Sequence, residues 1–105
     1  MKGKIFKIKK DKLEIWKNWC LDLDSTHKKE ALETLIEEGL NREYGGIFKL
    51  KEDYYGYILT DKEGIPSNKE KEINRTHLNK IKECIDTSEV KPISLNNLYS
   101  LEIDS

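Results

Sequence analysis

Residues that bring metal or thiol chemistry are scarce. The chain of 105 residues holds two cysteines and two histidines, arranged as Cys20 with His27 and His77 with Cys84. Seven positions separate the members of each pair, which on a helix is about 10.5 Å of rise. Zinc ligands stand about 2.0–2.3 Å from the ion, so neither pair chelates one metal as i, i+3 or i, i+4 spacing would. The same two turns put thiol and imidazole beyond the reach that a Cys–His nucleophile needs. Pairs across helices, such as Cys20 with His77, stay open, while filling a core is the ordinary use of a free cysteine. No metal site and no cofactor are expected. The formal net charge of −1 builds no field that would draw nucleic acid. No apolar run approaches the ~18 residues of a membrane span, and no signal peptide is visible. With two cysteines and no secretory signal, a reduced cytoplasmic protein is the default expectation. Repeats, low-complexity tracts and linkers are missing too. Gly45–Gly46 lies inside a strand pattern and reads as a bulge or close backbone approach, not a phosphate loop.

What is present is patterned. Hydrophobic residues make up 36% of the chain and charged ones 37%, enough for one core and one domain spanning 1–105. Residues 4–9 alternate as a strand, and 11–23 repeat Leu13, Trp16, Cys20 and Leu23 at helical spacing. Asp24–Thr26 can cap a second helical segment that carries Ala31, Leu32, Leu35 and Ile36 inward and stops at Gly39. Residues 42–51 and 54–60 read as a hairpin joined at Glu52–Asp53. Ser67 and Glu70 form a capping box for a helix over 68–85, with Ile73, His77, Ile81, Cys84 and Ile85 as its stripe. A last strand after Pro92 carries Ile93, Leu95, Tyr99, Leu101 and Ile103. The order β-α-β-β-α-β predicts an α+β, ferredoxin-like fold: a four-stranded antiparallel sheet with helices on one face.

Parity divides the strands into two faces. The reading places Phe6, Ile8, Tyr44, Phe48, Leu50, Tyr55, Tyr57, Leu59, Ile93, Leu95, Tyr99 and Leu101 under the helices. It leaves Ile5, Lys7, Ile47, Lys49, Tyr54, Ile58, Asn96, Leu98 and Ser100 on the open side. One large apolar residue per strand ringed by polar ones suits an interface, and a homodimer through the open face is expected.

His77 sits on the apolar stripe, so it should point at the sheet and find a tyrosine hydroxyl there. It is the candidate catalytic residue, as a general base tunable around neutrality. Trp16, Trp19, Tyr55, Tyr57 and His77 are the candidate lining of a ligand pocket between helices and sheet. Glu43 is weighed as a carboxylate partner to a histidine, and His27 as a surface residue.

The run "WKNWCLDL", then "EALETLIEEG", then "HLNKIKECID" ending in Glu83, Cys84, Ile85 and Asp86 resembles a small uncharacterised bacterial family of about 100 residues. That family is similar to dimeric α/β-barrel proteins, a group that includes cofactor-free monooxygenases and isomerase-like enzymes. The resemblance implies the fold and self-association, and no catalytic set carries over. Three functions follow as expectations. The first is a homodimer binding a small apolar or aromatic ligand. The second is a cofactor-independent monooxygenase or isomerase using His77. The third is a non-catalytic interaction module.

Overall fold

The structure, a computed structural model, describes residues 1–104. Strand β1 (Lys2–Ile8) passes through a single 3-10 turn at Lys10–Lys12 into helix α1 (Leu13–Leu23). Helix α2 (Lys28–Glu37), strands β2 (Glu43–Leu50) and β3 (Asp53–Thr60), helix α3 (Glu72–Cys84) and strand β4 (Ile85–Ser94) follow. The strands form one antiparallel four-stranded sheet in the order β2-β3-β1-β4, an α+β architecture. Phe6 and Ile8 of β1, Trp16 and Trp19 of α1, and Cys84 and Ile85 at the α3–β4 junction make the core, with Phe6 meeting Trp16 edge to face at 5.5 Å.

Local chemistry moves several boundaries. The hydroxyl of Ser25 donates to the Leu21 carbonyl at 2.7 Å, so "DST" closes α1 instead of capping α2, and the two helical segments are separate helices. Gly39 has φ +77°, the left-handed geometry that ends a helix. The expected inward set of α2 is half wrong, because Leu32 and Ile36 are exposed while Ala31 and Leu35 are half-buried. The capping box also fails. Asn68 Oδ1 accepts the Glu70 N–H at 3.0 Å and the Asn68 carbonyl accepts the Asn74 amide at 2.8 Å. That side-chain turn delays α3 to Glu72.

The last strand is displaced furthest. β4 begins at Ile85, directly where α3 ends, and pairs with β1 from Ile8↔Ile85 to Lys2↔Ser94. β1 is then used up, so the chain beyond Ser94 has no strand partner of its own. Leu98 is 87% exposed, Tyr99 79%, Leu101 87% and Ile103 97%, on a segment in neither helix nor strand.

The two faces also need correcting. Phe6 pairs with Gly56 and Gly56 with Ile47, so Tyr54, Ile58, Gly45 and Ile47 share the helix side with Phe6. A Cβ on Gly56 would run into the Phe6 ring. Tyr55, Tyr57, Leu59, Tyr44, Phe48 and Leu50 therefore lie on the opposite, open face. There Phe48 stacks on Tyr55 at 5.4 Å and the Tyr57 ring covers Gly46. β1 keeps the expected phase, whereas β2 and β3 are each turned over relative to the parity sorting, and β4, which shifts register beside Lys7, places Ile93 opposite Gly3 on the open face instead of under the helices. A one-residue change of phase carries a whole strand to the other face.

Candidate functional site

The face of the sheet that carries Lys4, Phe6 and Ile8 meets the three helices across a cleft of about 1140 Å³. α1 supplies Trp16 and Cys20, the turn just after α2 supplies Glu38, α3 supplies His77, β1 supplies Lys4 and β2 supplies Glu43. The cleft arises because α2 buries no residue of its own and so does not close down on the sheet. A smaller groove of about 620 Å³ crosses the sheet's end near Lys2, Thr60 and Pro92. It holds no aromatic, histidine or cysteine side chain.

His77 is set by α1, not by a tyrosine. The Trp19 indole N–H donates to His77 Nδ1 at 2.9 Å, and the ring centroids of Trp16 and Trp19 lie 6.0 and 6.1 Å from that of His77. The expected tyrosine partner is absent because Tyr44, Tyr55 and Tyr57 lie on the open face. An indole nitrogen can only donate, so Nδ1 must be the acceptor. The neutral ring then carries its proton on Nε2. Burial, helped by the Lys4 charge, holds the imidazole down to about 4, and the ring is neutral throughout the physiological range. Nε2 finds no acceptor among the described residues, and no side-chain N or O is buried there without a partner. Nε2–H is thus a donor in reach of whatever enters the cleft.

The remaining candidates separate. Trp16 contributes to the cleft wall while its body is 2% exposed in the core. Trp19 is buried behind His77 and contributes nothing to the lining. Tyr55 is on the open face; Tyr57 borders the cleft at the β2–β3 edge, but its ring belongs to the open face. His27 is half-buried, stacks obliquely on Trp19 at 5.8 Å and lies 3.5 Å from Glu30. Burial pushes the Cys20 thiol up to about 11, with nearby Cys84 adding to it, and a thiol so raised is a poor nucleophile. Among the described residues no group of three or more His, Cys, Asp or Glu side chains converges on a metal position.

Sequence reading passed over Lys4, although it has the same parity as Phe6 and Ile8. Glu38 was missed because it follows the last residue of α2. Glu43 and Glu38 are both held above the usual carboxylate range, chiefly by burial; Glu38 adds to the rise at Glu43 and Lys4 opposes it. Lys4, His77 and these two carboxyls are among the polar groups of a wall that also carries Glu14, Lys17, Asp24, Lys28 and Lys69 beside its apolar side chains.

The His77 shift has a measurable consequence. Its pKa falls on folding, so between pH 6.5 and about 4 the unfolded chain takes up a proton that the folded one refuses. Stability is then lost as pH drops through that window, by at most about 3 kcal/mol. Glu38 and Glu43, shifted upward, work in the opposite direction. The difference between wild type and His77→Gln in urea unfolding, measured at pH 7.5 and 4.5, isolates the histidine. The glutamine oxygen can still accept from Trp19, and the variant should lose less stability than wild type on acidification. Equal losses would mean that His77 titrates normally.

Among described residues, no helix is long and apolar enough to cross a membrane. No curated protein and no solved structure matches the chain. One family model does, across residues 4–103, nearly the whole chain and every element that builds the cleft. The chain is a member of that family, a family of unknown function (DUF6176).

Proposed function

We propose that the protein binds a small apolar or aromatic molecule that carries an acceptor oxygen, a carbonyl or a carboxylate, in the cleft between helices and sheet. The observation that carries this reading is the unsatisfied Nε2–H of a histidine whose other nitrogen is locked by Trp19. A neutral imidazole held this way donates and does not abstract. His77 therefore positions and polarises an oxygen, with the Lys4 ammonium beside it for a charged one. At about 1140 Å³ the cleft is somewhat larger than the roughly 300–1,000 Å³ of most small-molecule sites, so such a ligand has room to enter.

The monooxygenase or isomerase reading needs His77 as a base. It finds less support, because Nδ1 would first have to give up the indole. A His77 donor could still stabilise an enolate-like oxygen, which leaves room for chemistry on a bound ligand without proton abstraction by this ring. The strand order β2-β3-β1-β4 supports a ferredoxin-like reading of this α+β sheet, and the open face, with Phe48, Tyr55, Tyr57 and Leu59 on it, suits the twofold sheet-to-sheet association of dimeric α/β barrels.

The test of binding is a titration of 2-naphthoate against 2-naphthalenemethanol, followed by tryptophan fluorescence. Wild type should bind the carboxylate about tenfold more tightly, near the ~1.5–3 kcal/mol of a charge-assisted hydrogen bond. His77→Phe, folded by circular dichroism, should shrink the difference, and His77→Phe with Lys4→Met should erase it. Equal affinity for both probes in wild type, or no saturable binding of either, would dismiss the reading.

A further inference from the structure

The segment after β4 is unusually apolar on its surface. Residues 98–103 expose four large apolar side chains almost completely, yet they lie within the stretch that the family spans. Tyr99, Leu101 and Ile103 alternate with Ser100, Glu102 and Asp104. That is the period of a strand with one apolar face and one wet face. Leu95 is still tied down, exchanging hydrogen bonds with Met1 at 2.8 and 2.9 Å. Beyond it, among the described residues, no backbone group of 96–104 has a backbone partner. The segment therefore has the pattern of a strand but lacks a neighbour.

The sheet offers two free edges of opposite character. β4 is blunted by Asp86, Glu89, Lys91 and Pro92 and by a register shift beside Lys7, the devices that keep an edge from pairing. β2 has no proline, and its Tyr44, Phe48 and Leu50 stand on the open face, Tyr44 and Leu50 exposed. A strand added at β2 would continue that apolar row.

We infer that residues 96–104 form an arm that pairs with the free edge of β2 in a second copy of this chain, with Tyr99, Leu101 and Ile103 extending the partner's open apolar face. This rests on the dimer reading and adds to it the segment that completes the interface. Area supports the second copy as the occupant. Strands of seven or eight residues in a four-stranded sheet give a face of roughly 25 by 19 Å. A standard interface needs about 800 Å² per partner. The face alone falls short, and the arm's side chains supply apolar surface of the missing order. An exchanged strand also satisfies the arm's backbone groups by β-augmentation.

The test compares the full chain with a chain ending at Leu95, by sedimentation and by hydrogen exchange read on peptides covering 43–50. The full chain should run at twice 12.3 kDa with β2 amides protected. The shortened chain should lose that β2 protection at least tenfold and move toward monomer. Leu101→Asp with Ile103→Asp in the full chain should do the same without shortening it. A dimer whose β2 protection is unchanged by either alteration would overturn the arm and leave the sheet-face dimer intact. A full chain sedimenting as monomer would overturn both.

Discussion

Trp16→Ala should lose about 3–5 kcal/mol of folding stability, the range for emptying a large aromatic site in a core. Domains of this size have roughly 5–15 kcal/mol in total, so the variant sits close to unfolding at room temperature. The size of the effect follows from position. Trp16 is 2% exposed, stands edge-on to Phe6 at 5.5 Å and backs the His77 ring at 6.0 Å. From α1 it joins Phe6 of β1 to His77 of α3. Urea unfolding followed by far-ultraviolet circular dichroism gives the midpoint and slope. An unchanged slope with a much lower midpoint is the expected pattern. A loss under 1 kcal/mol would show that the core is not centred on this indole.

Gly56→Ala should destabilise by about 1–3 kcal/mol, against the usual gain of roughly 0.5–1 kcal/mol when glycine leaves a strand interior. The reversed sign comes from the Phe6 ring, which occupies the space where the new methyl would go. That ring cannot swing away, since Trp16 flanks it and it is buried. Shrinking the obstacle should recover part of the loss, so Phe6→Leu with Gly56→Ala should be less damaged than the sum of the single changes. Chemical denaturation of the four proteins measures this coupling. Should Gly56→Ala prove stabilising, β3 would be turned over, with Tyr55 and Tyr57 beneath the helices.

That second experiment also marks where the sequence was legible. Local periodicity placed α1, the hairpin and the body of α3, because each depends on neighbours a few positions away. Phe6 and Ile8 were placed inward and are. The phase between strands was not recoverable from alternation. Tyr55 and Tyr57 look like core residues only until Gly56 is seen to make room for Phe6. The start of β4 was hidden for a related reason. "CID" continues the helical stripe on its own, and only pairing of Ile85 with Ile8 shows that the chain has become extended. At the site, His77 was found from its place on the stripe, whereas its partner was assigned to the wrong element. A tyrosine was chosen by counting aromatics on the sheet, although Trp19 lies on α1, which packs beside α3.

The junction at Cys84–Ile85 binds the two neighbouring elements into one mechanical piece. α3 hands over to β4 with no spacer, both junction residues are buried, and the Cys84 carbonyl is held by the Lys9 N–H at 2.8 Å. Slack of even a single residue there would turn β4 upside down or unwind the end of α3. The helix that presents His77 and the strand that leads to the exposed tail are therefore expected to open and close as one cooperative unit. A pull on the tail would then be felt at the histidine.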